Sequence, residues 1–93
     1  MRVFIAPKLH KNLKKQDVRI RKNFEKALKI FSENPETPQL DNHSLQKEWM
    51  GFRSIDITAD WRAIFEYKTV GDKMVAYFVE IGTHKQLFSS RFV

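Results

Sequence analysis

Three β-prone runs stand close together in the C-terminal half of this chain, and their connections leave the fold little freedom. Phe52–Thr58, Trp61–Lys68 and Lys73–Ile81 are rich in Ile, Val, Phe, Tyr and Thr. Thr58-Ala59-Asp60 and Val70-Gly71-Asp72 are the turns between them. Parallel neighbours need a crossover of about a dozen residues or more, so strands joined this tightly run antiparallel. A three-stranded meander is therefore the fixed point around which the rest is arranged.

Upstream, Arg2-Val3-Phe4-Ile5 reads as one more short strand. Pro7 suits the first turn of a helix, where its missing N–H costs nothing. Leu9 and Leu13 lie one helical step apart among Lys8, His10, Lys11, Lys14 and Lys15. Asp17 is the expected N-cap of a second helix. In that helix Val18, Ile20, Phe24, Ala27, Leu28 and Phe31 recur at mostly three- and four-residue steps. Asn34-Pro35 ends it. Residues 35–50 are rich in turn-formers and read as a connecting loop, pinned by Pro38, Leu40, Leu45 and Trp49. The layout is β-α-α-β-β-β: an α+β fold with a helical hairpin on one face of a small antiparallel sheet.

Ninety-three residues make one domain, spanning 1–93. Hydrophobic content of 42% and aromatic content of 13% are those of a folded globule. There is no cysteine, which removes disulfides and thiolate metal sites and fits a reducing cytoplasm. The basic N-terminus lacks the apolar stretch of a secretory signal, and no run is long enough to span a bilayer, so no membrane partner is expected. The net charge of +6 is uneven. Residues 1–34 hold ten Lys/Arg against three Asp/Glu (+7), and residues 35–93 hold seven against eight (−1). The N-terminal third is the electrostatic handle, suited to nucleic-acid phosphates or an acidic protein.

In an up-down-up meander the end of the first strand, the start of the second and the end of the third share one end of the sheet. That brings Asp56, Asp60 and Arg62 near Gly82-Thr83-His84. His43 lies eight residues before Gly51, and an extended loop of that length reaches roughly 25 Å, enough to return to the same place. Two imidazoles, carboxylates and guanidinium groups suit one reaction on a polyanion. RNA is cut when its own 2′-hydroxyl attacks the adjacent phosphorus, given a base, an acid for the departing 5′-oxygen, and cations against the phosphoryl charge. Histidine serves either role near neutral pH, because its unperturbed pKa is about 6.5. Phe88 is placed to stack on a splayed base.

Each residue also has an ordinary structural role. His84 follows a strand and suits a turn cap, His43 an exposed loop, and Asp60 a turn. Arg53 and Arg62 can pair with Asp56, Glu66 or Glu80 on the sheet. Trp49, Trp61 and Phe65 read as core. The histidines and aspartates lack any metal-ligand spacing, so neither a metal nor another cofactor is expected.

Four segments carry a resemblance to the RelE/ParE superfamily of bacterial toxins, in its YafQ-like branch of ribosome-dependent mRNA interferases. They are Asn42-His43-Ser44-Leu45-Gln46, Trp49-Met50-Gly51-Phe52-Arg53-Ser54, Asp60-Trp61-Arg62-Ala63-Ile64-Phe65, and Ile81-Gly82-Thr83-His84-Lys85-Gln86-Leu87-Phe88. They keep the family's order and spacing over about half of the chain. The resemblance implies an endoribonuclease that enters the ribosomal A site, contacts ribosomal RNA and cuts mRNA there. It also implies an antitoxin partner that blocks it. His43, Asp60 and His84 match the family's catalytic positions. Arg53, Asp56, Arg62 and Phe88 are assigned to substrate. The chain departs from the YafQ pattern in having Asp56 where a histidine stands and Ile81 where an arginine stands, with Arg62 placed to replace the missing cation. Two other readings use the same scaffold. One is a non-nucleolytic ParE-like gyrase inhibitor, whose members generally lack the His/Asp cluster. The other is a decayed toxin that only binds its antitoxin.

Overall fold

The computed structural model describes residues 1–89. Strand β1 (Arg2–Ile5) leads into helices α1 (Pro7–Lys14) and α2 (Val18–Glu33). The Asp17 side chain accepts from the Ile20 amide at 3.0 Å, capping α2 as its sequence requires. The segment after α2 is more structured than a loop. It holds two single-turn 3₁₀ helices, Pro38–Leu40 and Lys47–Trp49, flanking a two-residue strand β2 (His43–Ser44). Strands β3 (Arg53–Asp56), β4 (Trp61–Val70) and β5 (Lys73–Thr83) form the expected meander. Gly71, at φ +66°, supplies the left-handed residue of the β4–β5 turn. A five-residue helix, α3 (His84–Phe88), follows directly on β5.

The sheet has five strands in the order β1-β5-β4-β3-β2. It is mixed rather than purely antiparallel, because β1 pairs parallel with β5, from Arg2↔Val75 to Ile5↔Phe78. The two helices between β1 and the meander make that parallel return possible. At the other edge β2 is antiparallel to β3, with His43 opposite Ser54.

Alternation along the strands separates two faces. On one, Ile55, Ala63, Phe65, Ala76, Phe78 and Ile81 meet Leu9 of α1 and Ile20, Phe24, Ala27 and Phe31 of α2. Phe31 packs edge-on against both Phe65 and Phe78, with centroids 5.1 and 5.3 Å away, and those two rings stack at 4.8 Å. The other face carries Ser54, Asp56, Arg62, Ile64, Glu80 and Gly82 in the same registers. A bulge opposite Ile64/Phe65 leaves Val79 without a partner and keeps both faces in phase on either side of it. Among the described residues no helix is long and apolar enough to cross a membrane.

Candidate active site

The second face of the sheet becomes a site because α3 lies on it. Gly82 is what lets α3 approach: a Cβ there would sit 3.1 Å from Gln86 Oε1 and 3.2 Å from two Leu87 side-chain atoms. The helix start is fixed by a capping box. Thr83 accepts from the Gln86 amide at 3.1 Å, and Gln86 accepts from the Thr83 amide at 2.9 Å. The other end is tied down by Trp49, whose indole N–H donates to the Leu87 carbonyl at 3.0 Å. Trp49 is thus half-buried against α3 rather than part of the main core.

Between α3 and the β2–β3 edge lies an open cleft of about 310 Å³, lined by Asp41, His43, Leu45, Ser54, Arg62, His84 and Phe88. His84 is exposed at its mouth, with its ring 4.9 Å from that of Phe88. Its amide donates to the Asp60 carbonyl at 2.8 Å, which fastens α3 to the β3–β4 turn. His43 faces the same way as Ser54, its partner in register, and its Nδ1 lies 2.8 Å from the Asp41 carbonyl. Asp41 takes φ +49° to turn the chain into β2.

Asp56, Arg62 and Gly82 stand side by side across β3, β4 and β5. Arg62 Nε is 2.9 Å from Asp56 Oδ1. Its Nη1 donates to the carbonyls of Thr58, Ala59 and Trp61 at 3.0–3.2 Å. The guanidinium therefore holds the β3–β4 turn together. Its Nη2 makes no hydrogen bond among the described residues, and Arg62 lines the cleft. The contact with Asp56 lacks hydrogen-bond alignment, so Oδ1 is buried and poorly compensated. Burial pushes the Asp56 carboxyl above its ordinary pKa. Arg62 pulls against that shift, Asp41 adds to it, and His43 opposes it weakly.

Of the residues singled out in the sequence, His43, Arg62, His84 and Phe88 meet in one cleft. Asp56 is paired with Arg62 and does not line the cleft. Asp60 contributes its backbone carbonyl, and its carboxylate is not part of the cleft wall. Arg53 corrects an expectation. It lies opposite Phe65 on the helix-facing side of the sheet, and its Nε donates to Asn42 Oδ1 at 2.9 Å. Asn42 in turn donates to the Pro35 carbonyl at 3.1 Å, so the Arg53 side chain is tied to the segment leading into His43 and lies away from the cleft. Asp41, Leu45 and Ser54 are cleft residues that sequence reasoning missed. Ser54 was recoverable, because it alternates with Asp56 on β3. Among the described residues no three His, Asp or Glu side chains group as a metal site requires.

A family model described as the bacterial toxin of a type II toxin–antitoxin system, YafQ, matches residues 4–89. No curated protein sequence matches the chain. The crystal structure of YafQ from E. coli strain BL21(DE3) is 25% identical over 96% of this chain and 100% of its own, with a TM-score of 0.65. YafQ in the E. coli DinJ–YafQ complex is 26% identical over the same shares, at 0.62. A YoeB/ParE toxin from Agrobacterium tumefaciens shares the fold at 15% identity, covering 90% of this chain and 99% of its own at 0.70. The chain belongs to the YafQ family of type II toxin–antitoxin toxins, within the RelE/ParE superfamily.

Proposed function

We propose that this toxin is a ribosome-dependent mRNA endoribonuclease that cleaves by acid–base catalysis without a metal. The observation that carries the reading is the shared cleft of His43, Arg62, His84 and Phe88. In this reaction the 2′-oxygen bonds to the adjacent phosphorus as the phosphorus–5′-oxygen bond breaks, leaving a 2′,3′-cyclic phosphate and a free 5′-hydroxyl. His43 takes the 2′-hydroxyl proton. His84 gives a proton to the departing 5′-oxygen. His43 is preferred to Asp60 as the base, because the imidazole lines the cleft and the carboxylate does not. The free Nη2 edge of Arg62 faces the charge that builds on the phosphoryl oxygens. Phe88 stacks on the base beside the scissile phosphate.

On the opposite face of the sheet, the Lys/Arg-rich α1 and α2 supply the charge that binds ribosomal RNA. An antitoxin is the second partner, as DinJ is for E. coli YafQ in the solved complex. The test uses purified protein, translating ribosomes and a defined mRNA. His84→Ala is expected to slow cutting by roughly 10²- to 10⁴-fold. Cutting at the wild-type rate would remove His84 from the chemistry.

A further inference from the structure

Phe88 is the wall between two clefts. On one side is the cation-lined cleft just described. On the other is a second opening of about 390 Å³, lined by Glu48, Trp49, Glu80, Gln86, Leu87, Phe88 and Ser89. Sites that enclose small ligands begin at roughly 300 Å³, so a nucleobase has room here. The two sides of α3 differ in what they offer a strand. The first cleft offers Arg62 and two imidazoles beside the Asp41 carboxylate, and no Lys, Arg or His among the described residues lines the second. The second offers carboxylates: Glu80, held by Lys8 at 3.1 Å, and Glu48, which makes no ion pair among the described residues. Trp49 adds an aromatic surface, fixed by its bond to the Leu87 carbonyl and its edge-on contact with Phe52 at 5.6 Å.

Building on the nuclease reading, we infer that this second cleft is a base-recognition subsite for the nucleotide next to the one stacked on Phe88. A phosphate needs a cation, and Arg62 lines only the first cleft, so the strand's backbone belongs there and a base edge to the second. A carboxylate can only accept hydrogen bonds. Glu48 therefore selects a base that presents an exocyclic amino group (adenine, cytosine, or guanine with its N1–H alongside) and disfavours uracil, whose single N3–H is flanked by two carbonyls. Trp49 and Phe88 supply stacking surface that tolerates either ring size. The shared wall explains why one short helix serves both tasks. His84 at its start faces the scissile phosphate, and Phe88 at its end parts that nucleotide from its neighbour.

The test separates this subsite from the cleavage chemistry by using probes that cannot be cut. ¹⁵N-labelled protein is titrated with 2′-O-methylated trinucleotides, with a uridine centre and each flanking base set in turn to A, C, G or U. The Trp49 indole N–H resonance reports occupancy of the second cleft. For one flank, A, C and G are expected to bind about ten-fold more tightly than U, as one good base-edge contact provides. The Trp49 signal should move with that base alone. Glu48→Ala, an exposed change, should erase the preference while leaving perturbation of the His84 signals intact. Equal binding of A, C, G and U, no binding at all, or a stationary Trp49 signal overturns the subsite. If the preference is seen but translating ribosomes yield no cut mRNA, the nuclease reading fails and the subsite stands.

Discussion

Replacing Arg62 with Met keeps most of the aliphatic stem and removes the guanidinium, and the structure sets the size of the loss. Nη1 serves three turn carbonyls at 3.0–3.2 Å, and Nε faces Asp56 at 2.9 Å. Hydrogen bonds from a charged donor contribute roughly 1.5–3 kcal/mol each when well made, but Nη1 has only two hydrogens to share among three acceptors. The turn is also partly wet, so water replaces some of what is lost. A total of about 2–4 kcal/mol is reasonable. For a domain of this size that lowers the melting temperature by roughly 10–25 °C. A second contribution comes from Asp56, whose carboxyl loses the cation that opposes its burial. Asp56→Asn should therefore recover part of the loss when combined with Arg62→Met, about 1 kcal/mol, while doing little alone. The assay is thermal unfolding of the four proteins of the cycle, followed by circular dichroism at pH 7. A drop below about 3 °C for Arg62→Met, or strict additivity of the two changes, would refute the view that Arg62 staples the turn and shields Asp56.

Two more outcomes are expected. Gly82→Ala sets its new methyl 3.1–3.2 Å from the Gln86 and Leu87 side chains, which must give by a few tenths of an ångström and loosen the capping box; a loss of about 1 kcal/mol by urea denaturation, with weaker mRNA cutting, is the expected result. The Asp56 carboxyl titrates higher in the folded protein than in the unfolded chain, so the folded state binds the extra proton. Wild type should gain stability relative to Asp56→Asn as pH falls from neutral through that raised pKa, read as the difference in melting temperature between the two at each pH.

The meander was legible because its signals are local. Period-two alternation, β-branched residues and short turns act within a few neighbours, and they placed Asp56, Arg62 and Gly82 together before any coordinates. The Asp17 cap and the Ile20–Phe31 stripe were legible for the same reason. The parallel pairing of β1 with β5 was not, because it depends on contacts more than seventy residues apart. Strand β2 has two residues, and its pairing with β3 sets it more than any propensity of His43 and Ser44 does. Helix α3 left a readable trace, since Thr83 and Gln86 have capping-box spacing, but five residues are too few to show periodicity. The side of the sheet taken by Arg53 was legible by the same alternation. Alternation puts it with Ile55 and Phe65, on the helix-facing side, away from Ser54 and Asp56. His43 could not be placed by pattern at all. Its position follows from the left-handed turn at Asp41 and the Arg53–Asn42 bond, neither of which has a signature in composition.

The nuclease account assigns the attack to the RNA's own 2′-hydroxyl, with the protein supplying only proton transfer and positive charge. A translating ribosome carrying an mRNA with one 2′-deoxynucleotide at the mapped cut site probes that directly. Complete protection of that bond, with cutting retained at an unmodified copy of the same codon, is the predicted result. Cleavage of the deoxy-substituted bond at the ordinary rate would contradict it.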